Sequence, residues 1–243
     1  MSNPALVPVP GFEKDFYDWP ARHAAKVAAA RSRRWPLLFV GDSITHLFEG
    51  DPGYPRASGA PLWNGLNGLL AERALNLGYG YDRTQNVLWR LTNGELDGQA
   101  PDVAVVLIGT NNLGDNGSVP ACTPEQTVEG IAAVCDLLHA RCPATQVVLM
   151  ALLPRGRCDA PIRARVDATN RLLPALAAAR PWLRLLDVGP AFLDESGEIP
   201  LQLMGDGTHP TTDGYRIWLA GLLGAGLLGV DLLKDLNVKA GNT

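Results

Sequence analysis

The stretch LLFVGDSI at residues 37–44 combines a short apolar run with a polar turn. The run Leu37–Val40 predicts a strand that is buried on both faces, which is typical of parallel sheets. The turn Gly41-Asp42-Ser43 would place Ser43 just beyond the carboxyl end of that strand. In open parallel α/β sheets, the ligand site lies at this end of the strands. The stretch therefore predicts both a fold class and a candidate nucleophile.

Four more apolar runs predict further strands, and helix-sized segments alternate with them. These runs are Ala74–Leu77, Val103–Ile108, Gln146–Leu152 and Leu183–Val188. One intervening helix is expected to begin at Thr123-Pro124-Glu125-Gln126, because Thr suits the cap, Pro the first turn and Gln126 can hydrogen-bond back. This alternation predicts an α/β fold, a three-layer α/β/α sandwich around a five-stranded parallel sheet.

The 243 residues are predicted to form one principal domain. Residues 1–35 would be an N-terminal arm and a helix (Pro20–Arg34) that pack on it, 36–230 the domain, and 231–243 a C-terminal tail. The uncharged segment Ile217–Val230 is shorter than the roughly 20 residues that span a bilayer. Its helical spacing of apolar residues predicts a core-facing helix, and no membrane span is expected.

Composition and charge exclude several classes of protein. Hydrophobic residues make up 47% of the chain, which argues against disorder. The formal net charge of -4 argues against a nucleic-acid-binding surface, which is normally basic.

The four cysteines, at positions 122, 135, 142 and 158, form no C-x-x-C pair. We therefore expect buried or half-buried free thiols and no zinc or redox motif. The first ten residues lack the basic and apolar regions of a secretory signal. Together these features predict a cytoplasmic protein.

Two separate segments could supply a nucleophile and a base. Ser43 would stand exposed on a turn before a helix, which suits a nucleophile that also stabilises an oxyanion. The G-x-S-x-G signature is absent, because Thr45 occupies its last position. Asp206 lies three residues before His209 and can orient its imidazole, so that Nε2 accepts a proton. His46 could also line the site, but no carboxylate with a clear orienting spacing comes before it.

Two loops could donate hydrogen bonds to a developing oxyanion. The stretch Gly109-Thr110-Asn111-Asn112 offers side-chain amides directly after a predicted strand. The loop around Gly78-Tyr79-Gly80-Tyr81 offers backbone N–H groups. A dinucleotide fingerprint is rejected there, because Arg83 stands where the third glycine would be required.

In this order, the blocks GDSI (41–44), NLGYGYDRT (76–84), GTNN (109–112) and DGTHP (206–210) resemble those of the SGNH, or GDSL-type, hydrolase family. The stretch ending in NVLWRL at Leu91, together with LLPRG at 152–156, most resembles the catalytic subunits of intracellular platelet-activating factor acetylhydrolase and their bacterial relatives. The resemblance implies the flavodoxin-like SGNH hydrolase fold.

The resemblance also implies a serine esterase that hydrolyses short-chain esters, acetyl above all, through an acyl-enzyme. Ser43 would be the nucleophile, His209 the base and Asp206 its orienting carboxylate. The oxyanion hole would use the N–H of Ser43, the amide of Asn111 and the N–H of either Gly80 or Tyr81. The last choice stays open, because the family usually has glycine where Tyr81 stands.

Further implications concern the pocket and the partners. Candidate pocket residues are Asp42, Tyr79, Asp82, Asn112 and Arg155. The expected partner is a small-molecule ester, no metal or organic cofactor is implied, and the resemblance suggests a homodimer.

Several alternatives stay open. The same residues could serve a carbohydrate O-deacetylase of the acetylxylan esterase kind, a lysophospholipase or a thioesterase. A metal-dependent deacetylase using Asp206, His209 and His46 is disfavoured, because their spacing matches no recognised ligand set. A catalytically silent binding module is disfavoured because Ser43, Asp206, His209 and Asn111 are all present.

Overall fold

The computed structural model of the protein describes residues 2–11, 17–54, 58–65, 69–115 and 119–227. Its centre is a parallel sheet in the spatial order β2-β1-β3-β4-β5. The strands are β1 Leu37–Gly41, β2 Ala74–Gly78, β3 Val103–Leu107, β4 Gln146–Met150 and β5 Leu183–Leu186. The predicted five-stranded α/β sandwich is therefore confirmed.

Helices cover both faces of the sheet. They are α1 Trp19–Ser32, α2 Ser43–Glu49, α3 Ala60–Trp63, α4 Leu69–Arg73, α5 Thr84–Arg90, α6 Pro124–Arg141, α7 Pro161–Ala178 and α8 Thr212–Gly224. Short 3-10 turns lie at Pro4–Leu6 and Gly189–Phe192, and a π-helical turn at Leu91–Glu95 extends α5.

Each predicted strand begins at the predicted residue, whereas its end is displaced by one or two residues. β4 was expected to reach Leu152 and β5 to reach Val188, but their ladders stop at Met150 and Leu186. After β4 the chain leaves the sheet while it is still buried, at Ala151 and Leu152, and after β5 it passes the exposed Asp187 before Val188 is buried again. Apolarity alone therefore overestimates the length of these strands.

The start of α6 follows its predicted capping pattern. The Thr123 hydroxyl accepts from the N–H of Gln126 at 3.2 Å, and the side-chain oxygen of Gln126 accepts from the N–H of Thr123 at 3.0 Å. Both N–H groups would otherwise be unpaired at the helix start, so this reciprocal capping box fixes where α6 begins.

The core consists of two apolar layers, one on each side of the sheet. Alternation along β1 divides them, because Phe39 faces one layer while Leu38 and Val40 face the other. The first layer is rich in aromatic rings and includes Phe48 and Trp218. Each fully buried side chain of this size stabilises the fold by about 1.5–3 kcal/mol relative to exposure.

Helix α8 supplies much of the aromatic layer. Tyr215, Trp218 and Leu222 are fully buried, as their helical spacing predicts. The predicted helix at 217–230 begins earlier, at Thr212, and residues 228–230 lie outside the described part of the chain. None of the described helices has the length and hydropathy to cross a bilayer.

The N-terminal arm packs on α5. The hydroxyl of Thr84 donates to the carbonyl of Ala5 at 2.9 Å, and the N–H of Val9 donates to the carbonyl of Gln85 at 3.3 Å. The division at residues 35 and 36 stays a prediction, and the expected tail at 231–243 lies outside the described residues.

All four cysteines are free. Cys122, Cys135 and Cys142 are buried, as expected, but Cys158 is exposed. The expectation of burial is wrong for Cys158, because it lies on a surface turn where its N–H donates to the carboxylate of Glu198.

Candidate active site

The carboxyl edge of the sheet gathers side chains from widely separated parts of the sequence. Ser43 is the first residue of α2, separated from β1 by one residue, and it is buried although it was expected to be exposed. Tyr81 follows β2, Asn111 follows β3 and Arg155 follows β4, while His209 lies in the loop before α8. Since β1 lies between β2 and β3, the groups on the loops after these three strands converge around Ser43.

Ser43, His209 and Asp206 form a continuous hydrogen-bonded chain. The hydroxyl oxygen of Ser43 lies 2.9 Å from Nε2 of His209. Nδ1 of the same ring lies 2.7 Å from Oδ2 of Asp206. The structure therefore brings together the three residues that the sequence indicated, although 166 positions separate Ser43 from His209.

The Asp206 carboxylate is held by several donors. Oδ1 accepts from the N–H groups of Thr208 at 2.9 Å and His209 at 2.7 Å, and Oδ2 accepts from the Tyr54 hydroxyl at 3.0 Å. Burial raises the pKa of Asp206, but the hydrogen bonds from the His209 ring and from these backbone groups outweigh it. The net effect holds the pKa well below its usual range, so Asp206 is ionised at neutral pH.

Tyr54 is a site residue that sequence reasoning missed. Its hydroxyl contacts Asp206, and its ring lies edge-on to the His209 imidazole, with 5.4 Å between centroids. Tyr54 lies outside all four sequence blocks, in the segment between α2 and α3. No motif or spacing in the sequence indicated it.

Asp42 lies beneath the nucleophile turn. Its Oδ1 accepts from the N–H of Ile44 at 2.9 Å and so caps α2. Its Oδ2 has no hydrogen-bond partner within the described residues, and the side chain is buried. Burial raises the pKa of Asp42 to about 6.

Tyr81 has an unusual backbone conformation. It is the one non-glycine residue with positive φ in the described part of the chain, at +59°. For an L-residue this conformation costs roughly 1–2 kcal/mol, which explains why a glycine suits the position. The residue is 48% exposed. The amide of nearby Asn111 donates to the carbonyl of Asp82 at 3.1 Å, which ties the two loops together.

A buried ionic network supports the loop at 79–82. Arg90 donates to Asp82 at 2.6 Å and to Glu95 at 2.7 Å. Trp19 donates to the other oxygen of Asp82 at 2.8 Å, and the Tyr79 hydroxyl donates to Glu95 at 2.5 Å. Sequence reasoning missed the roles of Arg90 and Glu95, although an arginine within the apolar run NVLWRL was a usable signal.

A cavity of about 120 Å³ opens beside the hydrogen-bonded chain. It is lined by Ser43, Tyr54, Tyr81, Asn111, Arg155, Thr208 and His209. A larger cavity, of about 430 Å³, lies between α7 and the turn at 189–192, and its lining includes none of these residues. We therefore place the candidate active site at the smaller cavity, where the reactive groups are.

Of the five candidate pocket residues, the structure brings only Arg155 to the cavity wall. Tyr79 and Asp82 are buried in the ionic network, and Asp42 is buried under α2. Asn112 is fully buried and holds α5, because it accepts from the N–H of Thr84 at 3.0 Å. These four side chains support the wall from behind, since their polar atoms are used in local contacts or lie in the core.

His46 does not reach the cavity wall. It is fully buried, its Nε2 lies 3.2 Å from Asp51, and burial lowers its pKa to about 2. Within the described ranges, no three His, Cys, Asp or Glu side chains are grouped closely enough to hold a metal ion. The metal-site alternative requires His46 beside Asp206 and His209, whereas Nε2 of His46 faces Asp51 in the core.

The arrangement has a definite chemical capability. A serine hydroxyl bound to an imidazole, which is in turn bound to a carboxylate, can attack an acyl carbon. The fold and the site together define a class: flavodoxin-like α/β proteins that carry a hydrogen-bonded serine, histidine and aspartate at the carboxyl edge of the sheet.

Comparison with known proteins identifies the family within that class. Residues 39–217 match the model of the GDSL-like lipase/acylhydrolase family. The chain belongs to this family and is a carboxylic ester hydrolase. It is 36% identical over 214 residues to the human platelet-activating factor acetylhydrolase IB subunit alpha1, and the alignment covers 88% of this chain and 85% of that relative.

Solved structures show the same fold at low sequence identity. A GDSL-like lipase from Bacteroides thetaiotaomicron aligns with a TM-score of 0.65 at 21% identity, covering 84% of this chain and 95% of the other. A variant of an acetyl-xylooligosaccharide esterase from Geobacillus aligns with a TM-score of 0.60 at 21% identity, and the alignment covers 77% of this chain and 92% of the other. These similarities confirm the fold.

Proposed function

We propose that the protein is a serine esterase that hydrolyses short-chain esters, chiefly acetyl esters, through an acyl-enzyme. The observation that carries the proposal is the continuous hydrogen-bonded chain from Ser43 through His209 to Asp206 beside a small cavity. The family relationship gives the reaction class, and the geometry supports these residues in these roles.

In the acylation step, the Ser43 oxygen attacks the ester carbonyl carbon while Nε2 of His209 takes the hydroxyl proton. Asp206 keeps Nδ1 protonated and stabilises the imidazolium that forms. When the tetrahedral intermediate collapses, the bond from carbon to the alcohol oxygen breaks. His209 returns its proton to that oxygen, and the acyl group stays on Ser43.

The oxyanion would be stabilised by the N–H of Ser43, the amide of Asn111 and the N–H of Tyr81. We favour the N–H of Tyr81 over that of Gly80, because Tyr81 lines the cavity. The carbonyl of Gly80 accepts from the Tyr17 hydroxyl, and the N–H of Tyr81 in the same trans peptide points the opposite way. One amide hydrogen of Asn111 is held by Asp82, which orients the other hydrogen for the oxyanion.

Deacylation would repeat these steps with water. His209 takes a proton from a water molecule while the water oxygen attacks the acyl carbon. His209 then returns this proton to the Ser43 oxygen as the carboxylic acid leaves. The step requires only water and groups of the protein, so no cofactor enters the proposal.

The size of the cavity supports a short acyl group. Its volume of about 120 Å³ is well below the roughly 300–1,000 Å³ of pockets that enclose drug-sized ligands. Tyr81, Thr208 and Arg155 are among the residues that line it. A lysophospholipase or a long-chain thioesterase would need more room, so these alternatives are disfavoured.

A series of p-nitrophenyl esters from acetyl to octanoyl tests the proposal. We expect turnover that falls steeply beyond butyryl and is abolished in Ser43→Ala. Ser32→Ala is the matched control, because Ser32 is exposed at the end of α1 and its hydroxyl donates to the carbonyl of Ala29 in the same helix. Equal turnover by wild type and Ser43→Ala would refute the serine mechanism.

A carbohydrate O-deacetylase is a second candidate on the same residues. The rings of Tyr54 and Tyr81 flank the cavity, and aromatic rings there can stack on a sugar ring. Acetylated xylooligosaccharides and an acetylated glycerophospholipid, compared at equal concentration, distinguish the two alcohol components. The homodimer and the cytoplasmic location stay predictions.

A further inference from the structure

Arg155 is the cation on the wall of the candidate active site. It lies on the loop after β4, where the backbone is firmly held. Arg163 is almost fully buried, and it donates to the carbonyls of Arg155 at 3.3 Å and Gly156 at 2.6 Å. The N–H of Gly156 also donates to the carbonyl of Gly207 in the His209 loop at 2.8 Å. The guanidinium is therefore presented to the cavity from a rigid base.

The guanidinium uses little of its hydrogen-bonding capacity on the protein. Nη1 donates to the carbonyl of Thr110 at 3.1 Å and approaches the Thr110 hydroxyl at 3.5 Å. Nε and Nη2 donate to no residue within the described ranges, and no described carboxylate lies within ion-pair distance. Asp42 and Asp206 act on Arg155 only through the longer-range electrostatic field.

Two buried arginines, Arg90 and Arg163, differ from the half-buried Arg155 in this respect. Arg90 donates to Asp82, to Glu95 and to the carbonyl of Gly41, so all three of its nitrogens are used. Arg163 likewise donates from all three nitrogens to backbone carbonyls. In Arg155, two of the three nitrogens keep their hydrogens for a ligand.

Partial burial removes water from the Arg155 charge and lowers its pKa, but an arginine still carries its proton at neutral pH. A partly desolvated cation without a counter-ion is less favourable than one in water, and a bound anion would offset that cost. The planar guanidinium matches the geometry of carboxylate and phosphate groups.

We infer that Arg155 binds an anionic group of the substrate, so that the preferred esters carry a carboxylate or a phosphate close to the scissile bond. Arg155 and Ser43 line the same cavity of about 120 Å³, which places the anion only a few bonds from the ester. This inference rests on the proposed esterase function and names the substrate class of that site.

Three pairs of esters test the inference and distinguish the source of the charge. Phosphate on the alcohol half is tested by 2-acetoxyethyl phosphate against 2-hydroxyethyl acetate. Carboxylate on the alcohol half is tested by 4-acetoxybutanoate against butyl acetate, and carboxylate on the acyl half by monoethyl succinate against ethyl butyrate. Acid release at constant pH gives kcat/KM for each ester.

We expect wild type to prefer the anionic ester in at least one pair by roughly tenfold or more, the size of a charge-assisted hydrogen bond. Arg155→Gln should remove most of that preference, chiefly through KM, whereas Arg155→Lys should keep part of it. Arg157→Gln is the matched control, because Arg157 is 77% exposed nearby on the chain and pairs with Asp159. It should keep the wild-type ratio.

Two outcomes would overturn the inference. One is the absence of any anionic preference in wild type, and the other is an equal loss on both esters of a pair in Arg155→Gln. The second result would mean that Arg155 only positions Thr110 and the adjacent Asn111. Either result leaves the proposed function intact if p-nitrophenyl acetate is still hydrolysed through Ser43. A failure of the esterase itself would instead appear as the absence of any hydrolysis that depends on Ser43.

Discussion

Nη2 of Arg90 donates to the carbonyl oxygen of Gly41 at 2.9 Å. Because Gly41 ends β1 two residues before Ser43, this bond links the nucleophile turn to α5. Arg90 also binds Asp82, whose carbonyl accepts from Asn111. A single buried side chain therefore connects the segments that carry the proposed oxyanion donors.

Arg90→Met should destabilise the fold strongly. Methionine replaces the unbranched aliphatic part of the arginine side chain but not its charge. Asp82 and Glu95 would then be buried without their counter-ion, which costs about 3–5 kcal/mol. Equilibrium unfolding in urea measures the change. Arg31→Met is the control, because Arg31 pairs with Asp97 at the surface and its loss should cost about 1 kcal/mol or less. A similar small cost for both variants would show that the buried network adds little to stability.

Asp206→Asn should retain the fold but slow turnover by roughly a thousandfold or more, because the amide favours the wrong tautomer of His209. Tyr54→Phe tests the outer end of the same chain. It removes one of several hydrogen bonds to Asp206, so we expect a loss in kcat of only about two- to tenfold. Near-normal rates in Asp206→Asn would remove this carboxylate from the mechanism.

Asn111 and Asn112 are adjacent and should respond differently to alanine. Asn111→Ala removes a proposed oxyanion donor, so kcat should fall by roughly a hundredfold or more. Asn112→Ala removes buried hydrogen bonds to Thr84 and Gln85, so it should lower the free energy of unfolding by about 1–3 kcal/mol. Steady-state kinetics and urea unfolding on both variants give the comparison. If Asn111→Ala raised only KM, Asn111 would bind the ground state instead.

Tyr81→Gly and Tyr81→Ala together isolate the effect of the positive φ. Both remove the ring, but only glycine adopts φ of +59° without strain. Tyr81→Gly should therefore be more stable than Tyr81→Ala by about 1 kcal/mol in urea unfolding. Both should raise the ratio of butyryl to acetyl ester hydrolysis, because the ring limits the cavity. An unchanged ratio in both would exclude the ring as a determinant of acyl length.

Local patterns in the sequence predicted much of this molecule. Apolar runs located all five strands, and the capping residues around Thr123 located the start of α6. The hydrogen bond between Ser43 and His209 was indicated only by combining weak signals with the expected position of strand ends. The partnership of Arg90 with Glu95 depends on how α5 continues into a π-helical turn, which no local pattern specifies.

The four motifs identified the region of the site better than the function of each residue within it. Tyr79, Asp82 and Asn112 were expected at the pocket, yet they are buried behind its wall. Tyr54 lies on the wall and belongs to no motif. A motif indicates that a position is constrained, but packing decides whether its side chain faces the substrate or supports those that do.

Asp42→Asn should make stability less dependent on pH. Burial raises the pKa of Asp42 to about 6, above its value of about 3.9 in an unfolded chain. Between these values the folded state binds more protons than the unfolded state, so this group lowers stability as pH rises from about 4 to 6. The amide retains an oxygen to cap Ile44 and carries no charge. Between pH 4.5 and pH 8, the free energy of unfolding of the variant should therefore rise by about 2 kcal/mol relative to that of wild type.

Urea unfolding of both proteins at the two pH values measures this difference. Asp194→Asn serves as the control, because hydrogen bonds led by the one from Ser196 lower the pKa of Asp194 on the surface. A carboxyl group whose pKa is lowered in the folded state stabilises the fold at pH values above its unfolded pKa. Asp194→Asn should therefore not gain free energy of unfolding relative to wild type as pH rises. If Asp42→Asn and wild type changed in parallel between pH 4.5 and pH 8, Asp42 would already be ionised at the lower pH. Its unpartnered oxygen would then have to be stabilised as an anion by the positive field of Arg155 and Arg90.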